Sequence, residues 1–232
     1  MAVAKFSSQT ETPNRLKLSV ALALFLLGST GLSQEQNTAS KELIDLLADV
    51  PTYSAEFEQM TRDARGELIE TQVGRVVFSR TLGLRWQIDA PFSQLMVAKR
   101  NALYVHDLDL EQLTVRNLVD LPDSAFTLML MNASEESLAG FSVQHGTSTD
   151  TTRGIGYILE PNGKASVFQR LQIYFFDGVM IRIDVADHFG HQTEVLFRNP
   201  KANQVVELSE FDIVVPEGTD VIGDVTDRDP AG

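Results

Sequence analysis

The sequence predicts a mainly β protein built on one antiparallel sheet of about ten or eleven strands. Three observations carry this. Residues 78–116 fall into short apolar or alternating runs cut by Leu82-Gly83, Ala90-Pro91, Arg100-Asn101 and the stretch 107–109, the pattern of a four-stranded meander. Similar runs recur from residue 53 almost to the C-terminus, and Asp177-Gly178 is a two-residue hairpin signal. With 232 residues and 43% apolar content the chain can bury one full core, and no linker composition or internal repeat divides it.

The first 33 residues read as a signal peptide. Lys5, Arg15 and Lys17 form a basic region, residues 18–27 an apolar one, and Gly31-Leu32-Ser33 a small-residue exit before Gln34. The apolar run is shorter than the roughly 20 residues a membrane-spanning helix needs. Losing the segment, with Lys5, Glu11, Arg15 and Lys17, takes the net charge from −13 to −15. Such a surface repels nucleic acid and anionic membranes and favours a soluble monomer.

Residues 40–50 place Leu43, Ile44, Leu46, Leu47 and Val50 on one broad helical face, with Ser40 as the expected N-cap and Pro51 as the stop. A strand follows in which Tyr53, Ala55 and Phe57 alternate with Ser54, Glu56 and Glu58. The turn 63–66 leads into a second strand ending at Val76-Val77-Phe78, and the meander comes next. The period then changes. Residues 121–131 hold a short helix that starts after Pro122 and a capping residue and is apolar nearly all round, so it is either ordinary core or a lid over something apolar. A second short helix is expected over 134–139. Strands resume at 141–145, a polar loop covers 147–152, and further strands are expected at 157–160, 170–175, 180–186 and 193–197, where Asn199-Pro200 ends the run. Residues 210–215 are expected to close the sheet, and 224–232 form an acidic tail that frays.

No reaction centre is expected. The sequence has no Gly-x-Ser-x-Gly elbow, no glycine-rich phosphate loop and no His-Glu-x-x-His helix. It has no cysteine, which excludes disulfides, thiolate metal sites and a cysteine nucleophile. His188 and His191 flank Gly190 in a hairpin and read as a solvated turn, not a metal site. Asp107, Asp109 and Glu111 alternate but lack the glycine and length of a calcium loop. No catalytic residue, metal or cofactor is assigned.

Several features together resemble the periplasmic outer-membrane lipoprotein carriers, the LolA family. They are Arg80 six residues before Trp86, Pro91 five after it, the hairpin Asp109-Leu110-Glu111-Gln112-x-Thr114-Val115, and the ending Phe211-Asp212-Ile213-Val214-Val215-Pro216-Glu217-Gly218-Thr219-Asp220-Val221. The resemblance covers residues 41–223. It implies that residues 34–223 form a strongly curved, incomplete (half-open) β-barrel capped by the N-terminal helix and a short helical lid, in which 121–131 takes the lid's place. The membrane-anchored acceptor of similar fold is held by a lipidated N-terminal cysteine, and a chain without cysteine is not that acceptor.

The function implied is that of a monomeric periplasmic carrier. It would take acylated lipoproteins from an inner-membrane lipoprotein-releasing ABC transporter and hand them to an outer-membrane lipoprotein acceptor. Each acyl methylene exposed to water costs about 0.8 kcal/mol, so a carrier must supply an apolar cavity. The expected lining is Phe57, Phe78, Trp86, Leu95, Met96, Val97, Tyr104, Phe126, Met129, Leu130, Ile173 and Phe175. The family's arginine at position 80 bonds main-chain groups of the lid helix and shuts the empty cavity, so Arg80 is the expected lid gate. Thr81 stands where the family usually has proline. Two other readings are a periplasmic lipid- or lipoprotein-sensing module on the same fold, which usually carries a second domain, and a secreted hydrolase.

Overall fold

The computed structural model describes residues 30–118, 130–146, 154–163, 166 and 168–223. The leader up to residue 29, most of the expected lid helix including Phe126 and Met129, the loop 147–152 and the tail 224–232 lie outside the described residues.

Helix α1 (Thr30–Ala48) comes first. It starts ten residues before the expected cap at Ser40 and runs through residues 34–39, which contain no glycine or proline and include good helix formers. Ala39, Leu43 and Leu47, spaced by four, are its buried stripe, and Ile44, Leu46 and Val50 pack beside them. It ends three residues before Pro51, whose ring disfavours helical geometry in the preceding residue.

Twelve strands follow among the described residues. They are β1 (Thr52–Arg62), β2 (Leu68–Ser79), β3 (Gly83–Ala90), β4 (Gln94–Lys99), β5 (Ala102–Asp107), β6 (Gln112–Asn117), β7 (Phe141–Gly146), β8 (Ile155–Pro161), β9 (Phe168–Phe176), β10 (Val179–Asp187), β11 (Gln192–Ala202) and β12 (Asp220–Gly223). Helix α2 (Glu135–Leu138) precedes β7, opened by a capping box between Ser134 and Ser137. One curved sheet holds all twelve in the order β12-β6-β5-β4-β3-β2-β1-β11-β10-β9-β8-β7, with β7 and β12 at its two unjoined edges. All pairs are antiparallel except β12 with β6, which is parallel. This is the mainly β sheet that the strand pattern predicts and the unclosed half-barrel that the resemblance implies, with one strand more than the upper count.

The turns fall where their residues demand. Asp177 and Gly178 both adopt positive φ, 49° and 76°, the type I′ geometry that matches the twist of a hairpin. Two expectations are corrected. β11 does not stop at Asn199-Pro200: Asn199 takes φ 50°, the register with β1 slips between Ser54 and Glu56, and the bulge places a proline where the ladder needs no N–H.

The stretch 210–215 is no strand either. A 3-10 turn (Leu208–Phe211) and an extended strap cross the convex face, where Phe211, 1% exposed, plugs a small core of Leu95 and Val97 with Val77, Leu82, Tyr104, Val206 and Ile213 around it. Arg85 fastens the strap by donating from Nη1 to the Glu210 carbonyl at 3.0 Å and that of Asp212 at 3.4 Å. The larger core lies on the concave face, under α1 and α2.

A candidate acyl-chain cavity under the N-terminal helix

The concave face collects every second residue of each strand, and the registers decide which. Tyr53 pairs with Phe78, Val76 with Trp86, and Trp86 with Met96, so these side chains share one side of the sheet. Between that face and α1 is a cavity of about 650 Å³. Leu46, Leu47 and Val50 of α1 line one part of it, and Tyr53, Val76, Phe78, Leu84, Trp86 and Met96 form a wall. Leu130, Phe168, Phe175, Met180, Val195 and Phe197 continue the lining. Aromatic contacts stiffen the wall: Trp86 stacks on Phe57 at 4.3 Å and meets the edge of Phe197 at 6.3 Å, which also meets Tyr53 at 5.7 Å. The Tyr53 hydroxyl donates to the Met180 carbonyl at 2.8 Å, and burial pushes its pKa up, so it stays a neutral donor inside the wall.

Of the residues named from sequence, Phe78, Trp86, Met96, Leu130 and Phe175 line the cavity. Phe57 and Ile173 are buried in the same core at 2% and 0% exposure but support the wall without lining it. Leu95, Val97 and Tyr104 are on the wrong face. Their neighbour Met96 points inward, so Leu95 and Val97 point outward, and Tyr104, opposite Val97, follows them under the strap. The sequence reading missed Tyr53, Val195 and Phe197. The alternation of Tyr53 with Thr52 and Ser54 was an available signal, whereas Val195 and Phe197 flank Leu196 in an unbroken apolar run that does not reveal its inward face.

Arg80 sits in the β2–β3 turn, tied by its backbone N–H to the Pro51 carbonyl at 2.9 Å. Its Nη1 donates to the Ala48 carbonyl at 3.2 Å and its Nη2 to that of Leu47. These carbonyls end α1: Pro51 lacks the N–H that would bond the Leu47 carbonyl four residues back, and that carbonyl accepts instead from the Val50 N–H at 3.3 Å and from Arg80. While most of the expected lid helix 121–131 lies outside the described residues, among those described Arg80 therefore holds the end of the N-terminal helix. The reason is topological: β1 starts directly after α1 and pairs with the end of β2, which brings the β2–β3 turn to the helix terminus. Its Nε is buried without a hydrogen-bond partner among the described residues.

A second fastening lies one and a half turns back along α1. Glu42 Oε2 is 2.8 Å from His145 Nε2 in β7 and accepts from the Tyr157 hydroxyl of β8 at 3.3 Å. The His145 hydrogen bond is the main cause that holds the Glu42 carboxyl below its ordinary value. Burial first, and then the Glu42 charge, push the Tyr157 phenol up to about 12.

At the β10–β11 hairpin the lining turns polar, with Gln59, Thr193 and Asp187 beside Phe189. Gln59 Nε2 donates to Gln72 Oε1 at 2.8 Å, and the Thr61 and Thr193 hydroxyls are 3.2 Å apart. The Asp187 carboxylate accepts from the backbone N–H groups of Phe189 and His191, each at 2.8 Å, and shares a 2.8 Å hydrogen bond with His191 Nδ1. Burial opposes its ionisation, yet these bonds outweigh burial and hold its pKa below the ordinary value. His188 Nε2 lies 3.1 Å from the Ser166 carbonyl. No group of three metal-ligating side chains is found among the described residues, and no helix there is long and apolar enough to cross a membrane.

The sequence matches the family model "Outer membrane lipoprotein carrier protein LolA" over residues 48–214. It is 32% identical over 190 residues to an outer-membrane lipoprotein carrier protein of Azotobacter vinelandii, covering 82% of this chain and 90% of that one. It is 26% identical over 208 residues to the protein of the same description from Pseudomonas paraeruginosa, covering 90% and 99%. Among solved structures, an uncharacterized conserved protein of Thermus thermophilus shares the fold with a TM-score of 0.52 and 12% identity, over 79% of this chain and 98% of that one. The chain belongs to the outer-membrane lipoprotein carrier (LolA) family.

Proposed function

We propose that the protein is a periplasmic carrier that shields the acyl chains of lipoproteins while they cross from the inner to the outer membrane. The observation that supports this best is a cavity of about 650 Å³ with an almost wholly apolar lining, inside a chain of net charge −13 without a single cysteine. Moving a long acyl chain into water costs on the order of 10 kcal/mol, and the cavity removes that cost without chemistry, so the protein acts by binding and not by catalysis. Met96 and Met180 suit a wall that must repack around flexible chains. The relatives named as carriers align over nearly their whole length, which favours this reading over a sensing module.

In this account residues 1–33 are removed as a signal peptide, 34–223 form the carrier domain and 224–232 a frayed acidic tail. An inner-membrane ABC transporter loads the carrier with its own ATP, and an outer-membrane acceptor takes the cargo as a better host for the same chains. Arg80 is the gate, acting on α1. Lipid entering beside Leu46, Leu47 and Val50 lifts the helix end and breaks the two guanidinium bonds, so the loaded state is the less tightly closed one.

Purified protein should bind a fluorescent fatty-acyl probe with one saturating site; absence of binding removes the carrier reading. Arg80→Leu should keep the fold, and losing partly exposed charged hydrogen bonds should loosen the closed state by about 1–2 kcal/mol. Its probe release rate is then expected to differ from wild type about tenfold, and equal release rates would remove the gate from this account.

A further inference from the structure

We infer that the polar end of the cavity is a subsite for the uncharged ester and amide carbonyls that join acyl chains to their cargo, and that it discriminates against lipids with anionic heads. The inference rests on the acyl-carrier reading and goes beyond it, because an apolar cavity alone would take any chain of suitable length.

The polarity of the concave face changes along the strands. On β1, Tyr53, Ala55 and Phe57 give way to Gln59 and Thr61, and on β11 the inward series Phe197, Val195 gives way to Thr193. On β10, Ile183 and Val185 give way to Asp187. Across the strands these changes line up: Gln59 is opposite Val195 and Gln72, and Thr61 is opposite Thr193 and Glu70. The result is one apolar region ending in one polar rim, beside the tip of the β10–β11 hairpin, at the opposite end of the strands from the α1 terminus held by Arg80.

A ligand with the same division binds in one orientation. Its chains lie against the α1 end, and its head lies against Gln59 and Thr193. Gln59 has one amide proton engaged by Gln72 and a second to offer, and the Thr193 hydroxyl can rotate toward an acceptor. Ester and amide carbonyls are acceptors that match these donors. A carboxylate or phosphodiester head would also accept, but it would lie beside the Asp187 carboxylate. No lysine or arginine lines the cavity among the described residues to offset that repulsion. In a weakly solvated site, like charges a few ångströms apart are strongly unfavourable. The head group also emerges where a tethered polypeptide can leave, between the β1–β2 and β10–β11 hairpins, which Arg62 and Gln192 place side by side.

The test compares two ligands of the same chain length, the neutral ester monopalmitoyl glycerol and palmitate at pH 8. Each displaces the uncharged apolar dye N-phenyl-1-naphthylamine from the full-length mature protein. Wild type should favour the ester by about tenfold or more, the size of one lost or repelled polar contact. Asp187→Asn keeps a side-chain oxygen for the Phe189 N–H and should bring palmitate to within about threefold of the ester by removing the repulsion. Gln59→Leu with Thr193→Val should weaken the ester about tenfold relative to the dye, because the two changes remove the donors a carbonyl needs and leave an apolar wall that the dye still occupies. If both ligands bind alike in wild type and in Asp187→Asn, the subsite is wrong while the acyl cavity stands. If neither the dye nor either ligand binds wild type, the carrier reading itself fails and takes the subsite with it.

Discussion

A methyl group at position 74 would lie 1.9 Å from the Gln87 carbonyl oxygen and 2.9 Å from Phe57 Cζ. Gly74 is buried in β2 where its register with β3 slips, and the missing side chain lets the Phe57 ring reach across to stack on Trp86. Gly74→Ala must push β3 away or expel the ring, and is expected to cost about 3 kcal/mol. Trp86 is the only tryptophan in the chain, so its fluorescence reports both the loss of stacking and the urea midpoint. An unchanged midpoint and spectrum would mean that the strands separate there at no cost. The same scale explains why Arg80 was recognised while its acceptors were not. The arginine is a local feature, but Leu47 and Ala48 lie more than thirty residues earlier, and only the β1–β2 pairing brings them near.

At the scale of elements, α1 is the cover, held at its end by Arg80 and in its middle by Glu42 with His145 and Tyr157. Glu42 has a folded-state pKa below its ordinary value of 4.5. A carboxyl of this kind stabilises the fold fully above 4.5, and the contribution fades as pH falls through the lower folded value. Asp63 and Asp187 are depressed in the same direction, so the protein should lose stability from about pH 4.5 downward. Glu42→Gln removes one part of that slope. The difference in urea midpoint between variant and wild type should be largest at pH 7 and shrink toward pH 3, and a difference constant with pH would show that the Glu42 contact does not couple α1 to the sheet. The helix face was legible from the spacing of Leu43, Leu47 and Val50. Its start was not, because a helix runs on through any residues that do not stop it, and Ser40 caps only where the preceding turn is absent.

Over the whole molecule, curvature makes the hollow and leaves two edges to protect. α1 and α2 pack at the β7 side, and β12 covers β6. An uncovered edge presents unpaired N–H and C=O groups to any other strand. Ending the chain after Thr219 should therefore leave a folded protein that self-associates with rising concentration, seen by light scattering on a sizing column; a strictly monomeric truncated form would show that the β6 edge needs no cover. Neither the strap nor β12 was legible. Residues 210–215 alternate as a strand would, but Arg85 and the hollow around Leu95 and Val97 capture them on the convex face. The parallel pairing of β12 with β6 joins segments more than a hundred residues apart, and nothing local announces it.

The sequence by itself determined the strand periodicity, the Asp177-Gly178 hairpin, the apolar stripe of α1, the absence of thiol chemistry and the family. These depend on neighbours within a few positions or on the order of such patterns. Only the tertiary structure decided which face each strand turns to the cavity, sending Met96 inward and Leu95, Val97 and Tyr104 outward, and that Arg80 reaches the end of α1. A strand's alternation is the same in either phase. Its choice of face is made by the partners it pairs with, and those are set by the closing of the whole sheet.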